Sequence, residues 1–204
     1  MNESMFYIQQ GFSHVLDMAA LDHVLFFIAL TVVYRVIDWK KALWLITFFT
    51  IGHTLTFALS SYEIVNINAE LVEFLIPITI LTPLLLNIYI EITSKDVLAK
   101  HLYTKQSKEL NTNIYFAFFF GLIHGLGFSN YFKMLLDEAD DKLIPLLKFA
   151  LGIEFAQIII VALVLFLGHI VQYYINIKKK IWVISISLFI LLWIIPMLVN
   201  RFPF

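Results

Sequence analysis

Long apolar runs broken by short polar intervals pattern the whole chain. A helix needs about 20 apolar residues to cross the hydrocarbon of a bilayer, and stretches of that character fall at about 12–34, 41–61, 70–91, 113–133, 143–174 and 181–200. The pattern predicts an all-α integral membrane protein, a single polytopic domain made of a bundle of about six transmembrane helices. The first stretch is clean only over 19–34, so residues 5–18 read also as an interfacial helix or a bent entrance to the span. The fifth outruns the bilayer. Its end, Gln172-Tyr-Tyr-Ile-Asn-Ile-Lys178, is expected to tilt or to project into the cytoplasm with its tyrosines at headgroup level.

The polar intervals set the orientation. Arg35, Lys40, Lys41, Lys95, Lys100, Lys105, Lys108, Lys178, Lys179 and Lys180 fall after spans one, three and five, against Lys133, Lys142, Lys148 and Arg201 on the other side. Positive residues are retained in the cytoplasm, so both termini are expected outside. The outer connections are acidic, with Glu63 and Glu70 in one and residues 137–141 in the other. Such a mouth would concentrate cations, although a solvated loop accounts for each acid taken singly.

Composition narrows the chemistry. Hydrophobic residues make up 61% of the 204 and charged residues 14%, whereas a soluble domain is about 45–50% apolar. A net charge of −1 offers no basic face to nucleic acid. No cysteine is present, so a metal site would be built from imidazole and carboxylate alone. The N-terminal Met-Asn-Glu-Ser-Met-Phe has no Lys or Arg ahead of the apolar run, and no signal peptide is read there. The expected location is the cytoplasmic (inner) membrane of a bacterium, with lipid as the surrounding partner. The Gly121-x-x-x-Gly125 spacing, followed by Gly127, offers a close helix contact, either to a neighbouring span or in a homo-oligomer. The likeness between Gly52-His-Thr-Leu-Thr-Phe57 and Gly121-Leu-Ile-His-Gly-Leu-Gly-Phe128 is too weak to argue an internal repeat.

Ionisable groups at membrane depth are costly and mark functional sites by default. At 1.5 Å of rise per residue, Asp22, His23, His53, His124 and Glu154 all lie about 12–17 Å below the outer ends of their spans. Independent core histidines have no reason to agree in depth, even though each alone is equally well explained as a neutral hydrogen-bonder between helices. Three imidazoles with one or two carboxylates suit a divalent transition metal such as zinc, nickel, cobalt or copper rather than magnesium or calcium. Adjacent residues point about 100° apart. His23 is therefore the expected ligand, and Asp22 is either a second ligand or the acceptor that fixes an imidazole tautomer. On an unbroken helix His14 would stand opposite His23, which casts His14 and Asp17 as an outer entry site unless residues 14–18 bend back. Glu73, about 5 Å below the outer end of its span, is placed at the entry too. His169 has at most an exit contact and His101 no role. Thr50, Thr54, Thr56, Asn87 and Gln157 are natural supports for ligands, although threonines in membrane helices commonly bond only their own backbone.

Five motifs now stand in order along the chain. They are Gly11-Phe-Ser-His14 with Leu21-Asp-His-Val-Leu-Phe26; Phe49-Thr-Ile-Gly-His-Thr-Leu-Thr-Phe57; Val72-Glu73; Phe120-Gly-Leu-Ile-His-Gly-Leu-Gly-Phe-Ser129; and Leu151-Gly-Ile-Glu-Phe-Ala-Gln157. Together they resemble the successive signatures of the HupE/UreJ family of membrane proteins, over residues 11 to about 157. The resemblance implies a nickel or cobalt permease, of a kind associated with hydrogenase and urease. It also implies that His14, Asp22, His23, His53, His124 and Glu154 take part in handling the metal. Two departures mark a divergent branch. Seven residues separate His14 from Asp22 where the family commonly has five, and the signal peptide that many members carry is not read here.

Two function classes share this ligand set. One is a secondary transporter that passes a divalent transition metal inward without ATP, since nothing resembles a nucleotide site. The other is a membrane-embedded zinc hydrolase, with three histidines on the ion and Asp22 or Glu154 as general base to a metal-bound water. The scarcity of polar groups below Glu154, chiefly Asn87 and His169, counts for the enzyme; the family resemblance counts for transport. A metal-sensing or assembly subunit with a structural ion is a third, duller reading.

Overall fold

The computed structural model describes residues 3–17, 21–65, 67–93, 106–136 and 142–203. All regular structure among them is helical. In chain order it runs α1 (Glu3–Val15), α2 (Asp22–Thr31), a 3-10 turn (Val36–Asp38), α3 (Trp39–Ser61), α4 (Ala69–Thr93), α5 (Gln106–Leu136), α6 (Leu143–Tyr173) and α7 (Lys179–Asn200). In hydrocarbon an unpaired backbone amide costs several kcal/mol, so these apolar runs close their hydrogen bonds within themselves. Among the described residues, four stretches are long and apolar enough to cross a membrane: α3 with its 3-10 turn, α4, α6 and α7. Residues 113–128 of α5 and all of α2 form shorter apolar helices. Pro77 and Pro83 lie inside α4, where Thr79 and Thr82 donate their hydroxyls back to the carbonyls of Ile76 and Ile78.

The first predicted span is corrected. No single helix covers 12–34; α1 ends at Val15 and α2 begins at Asp22. The fourth helix is longer than expected, starting at Gln106 rather than about 113. The remaining spans agree with the apolar runs within about two residues. The acidic residues 137–141, His101 and most of the 92–112 connection lie outside the described residues.

Side-chain ties give the bundle two ends. At one, Lys142 at the start of α6 donates to the Ser61 carbonyl at the end of α3, and Phe202 after α7 packs edge-on against Phe74 of α4. At the other, Lys179 of α7 pairs with Glu91 of α4, and Asn113 of α5 donates to the Tyr34 hydroxyl. His53 lies eight residues, about 12 Å of helix, from the first end.

Among the described residues, two helix pairs approach closely at glycine on both partners. A Cβ on Gly52 would strike the Phe118 carbonyl oxygen of α5, and a Cβ on Gly121 would strike the Phe49 carbonyl oxygen of α3. The same reciprocal contact joins α1 to α6: a Cβ on Gly11 would meet the Phe149 carbonyl oxygen, and one on Gly152 the Ile8 carbonyl oxygen. Apolar side chains gain nothing from leaving lipid, so helices associate through van der Waals contact where small residues admit another backbone. The Gly121 and Gly125 face expected to serve a neighbouring span or a homo-oligomer is filled by α3 of the same chain, with Gly125 against His53 and Thr56.

An alanine at Gly52 or Gly121 should therefore force α3 and α5 apart and destabilise the protein by about 1–3 kcal/mol. Gly168 is the control, since a Cβ there meets only side chains, Trp182 at 3.3 Å and Gln172 at 3.6 Å. Thermal unfolding in detergent checks the contrast; equal losses at Gly52 and Gly168 would contradict the packing argument.

Candidate metal centre

The break between α1 and α2 is what assembles the site. His14 is the second-to-last residue of α1, and His23 the second residue of α2. Their rings stand 4.7 Å apart. His53 enters from α3, its ring 5.5 Å from His23 and 5.9 Å from His14. One ligand nitrogen from each of His14, His23 and His53 lies within 4.8 Å of the other two. The expectation that an intact helix would send His14 to the opposite side fails, because α1 ends at Val15, a separate helix starts at Asp22, and the two rings meet.

His124 of α5 stands beside this group, 5.2 Å from the His23 ring. The histidines are walled by aromatics, with Phe49 against His23 and His124, Phe57 against His53, Phe26 against His124, and Phe128 and Phe149 against His14.

Hydrogen bonds fix which nitrogen carries a lone pair on two of the rings. Asp22 Oδ1 accepts from the His23 backbone N–H at 2.9 Å and faces His23 Nδ1 at 3.1 Å. A carboxylate only accepts, so Nδ1 bears the proton and Nε2 the lone pair. On His124, Thr79 decides the tautomer. Its hydroxyl has one hydrogen, which goes to the Ile76 carbonyl 2.6 Å away, so His124 Nε2 at 2.7 Å donates to the threonine oxygen and Nδ1 keeps the lone pair. His14 Nε2, His23 Nε2, both nitrogens of His53 and His124 Nδ1 are buried with no hydrogen-bond partner among the described residues. Such groups are ordinarily satisfied when buried, and leaving them bare costs about 1–3 kcal/mol each. Buried nitrogen donors, three of them from His14, His23 and His53 within 4.8 Å of one another, fit a borderline-soft divalent cation, with the Asp22 carboxylate behind His23 as orienting partner.

The other expected residues lie elsewhere. Glu154 of α6, half-buried, accepts from Thr47 of α3 at 2.8 Å and is outside the histidine group. Gln157 is bonded by Thr50 at 2.9 Å. Thr56 donates to the backbone of α3, as threonines in membrane helices commonly do. Asn87 donates to the Ala29 carbonyl and ties α4 to α2. Asp17 and Glu73 are exposed. His169 is exposed as well and stacks on Tyr173.

Two contacts had no counterpart in the sequence reading. Thr79 gave no signal beyond a hydroxyl in an apolar run. Arg201, counted only as an end-of-span charge, brings Nη1 to 3.8 Å from Asp22 Oδ2.

A family model described as HupE / UreJ protein matches residues 1–201 of the chain. No curated protein and no solved structure matches it.

The hydrogen bonds predict the tautomers of the metal-free protein. Long-range nitrogen–proton NMR of histidine-labelled protein should find the proton on Nδ1 of His23 and on Nε2 of His124. Thr79→Val should release the second assignment and leave the first. The reverse tautomer on either ring would remove the lone pair from the group.

Proposed function

The chain belongs to the HupE/UreJ family, and on that premise we propose that it is a secondary permease for a divalent transition metal of the nickel or cobalt type. The observation that carries this reading is the cluster of buried, unpartnered imidazole nitrogens on His14, His23 and His53. In the proposed mechanism those three rings hold the ion as cargo. His124 stands next to them with a lone pair on Nδ1, ready to take the ion or to replace one of the three, and Asp22 keeps His23 turned toward it. Glu154, bonded to Thr47, and Gln157, bonded to Thr50, belong to the path along α3 and α6 beyond the histidines. Asp17 and Glu73 are its exposed acceptors at entry. Binding sites where a membrane helix is interrupted are common in secondary transporters, because backbone there can turn toward the ion. The hydrolase alternative needs a free base, and Asp22 already has His23 and Arg201 on its two oxygens.

The proposed topology is six crossings in the inner membrane, with α1 and α2 together making the first and both termini outside. The native chain has no cysteine, so single cysteines report cleanly. A cysteine at position 105 should be shielded from an impermeant label in intact cells and react after permeabilisation. Labelling from outside would invert the orientation.

For transport, liposomes holding the protein and an internal metal-sensitive dye should accumulate nickel or cobalt. Changing His14, His23 or His53 to alanine should each lower affinity more than about a hundredfold, since even outer partners of ligands cost 10–100-fold. Protons compete for the same nitrogens, and imidazole has an ordinary pKa of about 6.5. Affinity should accordingly fall as pH drops through that region and below it. Tight occupancy with no flux under either pH-gradient polarity would end the permease reading.

A further inference from the structure

We propose that Arg201 is a positioning residue that latches Asp22, holding its carboxylate on His23 and off the ion and so setting how readily the ion leaves. The inference rests on the reading of His14, His23 and His53 as a metal site.

Arg201 is the first residue beyond α7, and its backbone N–H still bonds Met197 at 3.1 Å, which keeps it in line with the helix. The neighbouring Phe202 ring packs on Phe74 of α4 at 5.3 Å and anchors that end of α7. From this fixed point the guanidinium reaches inward to Asp22, whose side chain is 9% exposed against 26% for its own. The two oxygens of Asp22 are thereby divided. Oδ1 serves His23, through both the backbone N–H and Nδ1, and Oδ2 faces Arg201.

The division matters because the carboxylate is the anion in contact with the histidine group. A divalent cation on the imidazoles and the guanidinium of Arg201 are rivals for it. With Arg201 in place, Asp22 is already neutralised and stays an orienting group. Without it, the ion is the nearest positive charge, and in a poorly screened interior the carboxylate turns toward it. An anionic oxygen added to three neutral rings strengthens binding and slows release. At 3.8 Å the pair is within ion-pairing range but beyond a good hydrogen bond, so the latch is weak enough for an arriving ion to loosen. Lysine at this position keeps the charge but loses the planar fork, and should hold the carboxylate less well.

The test uses the full chain in detergent with zinc and nickel salts as probes, measuring affinity by competition with a chromophoric chelator and dissociation by rapid chelator capture. Arg201→Gln should bind about tenfold more tightly than wild type and release more slowly. Arg201→Lys should fall between them, and it carries the test should the glutamine variant fail to fold. In an Asp22→Asn background the Arg201→Gln gain should vanish, since no carboxylate remains to be released. Equal or weaker binding in the Arg201 variants, or a gain that persists without Asp22, overturns the latch. Wild-type protein that takes up neither metal overturns the metal-site reading itself, and the latch with it.

Discussion

Backbone-to-backbone contact at glycine is the constraint on which this molecule depends. Lipid gives apolar side chains no reason to cluster, so helices are held where they fit closest. At Gly52 and Gly121 the fit leaves no room for a methyl group. Those contacts lie next to His53 and within one turn of His124, and they bring both into one layer. Gly11 and Gly152 do the same for α1, whose next turn carries His14. His14, His53 and His124 thus ride on close glycine contacts between helices. Their spacing is set by backbone rather than by flexible side chains.

The two contacts share a register that the sequence only half displays. Gly11-x-x-His14 on α1 packs against Gly152 of α6, and Gly121-x-x-His124 on α5 packs against Gly52 of α3. In each, the glycine opposes the residues three before and one after its partner glycine. The comparison of residues 52–57 with 121–128 set two partners of one contact beside each other instead of two equivalents. Four short glycine sites scattered over 140 residues are invisible as a repeat until the helices are paired.

Much of the rest was legible, and what escaped has a physical cause. Hydropathy located α3, α4, α6 and α7, because twenty apolar residues in a row have no other stable arrangement in lipid. Rise per residue put His53 and His124 in one layer of α3 and α5, since depth depends on position along an axis, whereas His23 reaches that group from a helix that begins only at Asp22 and not from the continuous span on which its depth was counted. Glu154 instead bonds Thr47, six residues or about 9 Å of helix from His53 on α3, and so misses the layer that counting from its span end assigned to it. The end of α1 at Val15 escaped because the stretch from Val15 to Asp22 holds no proline or glycine and stays mostly apolar. The break was therefore legible only as an alternative, a bent entrance over 5–18, and on an unbroken helix His14 would have pointed away from His23. His14 nevertheless reaches His23, their rings 4.7 Å apart.

The charge balance of the site bears on what it is for. Three neutral rings holding a divalent ion leave both of its charges uncompensated in a surrounding of phenylalanine, and the adjacent carboxylate is already matched by Arg201. An unbalanced charge in low dielectric is expensive, so nitrogen coordination has to offset most of that cost. A structural ion would be better served by ligating carboxylates that cancel its charge. A cargo ion needs a site it can leave. On the proposed reading, neutral ligands close together, with an anion held back by a weak pair, would select a nitrogen-seeking metal and leave a charge imbalance that favours letting it go.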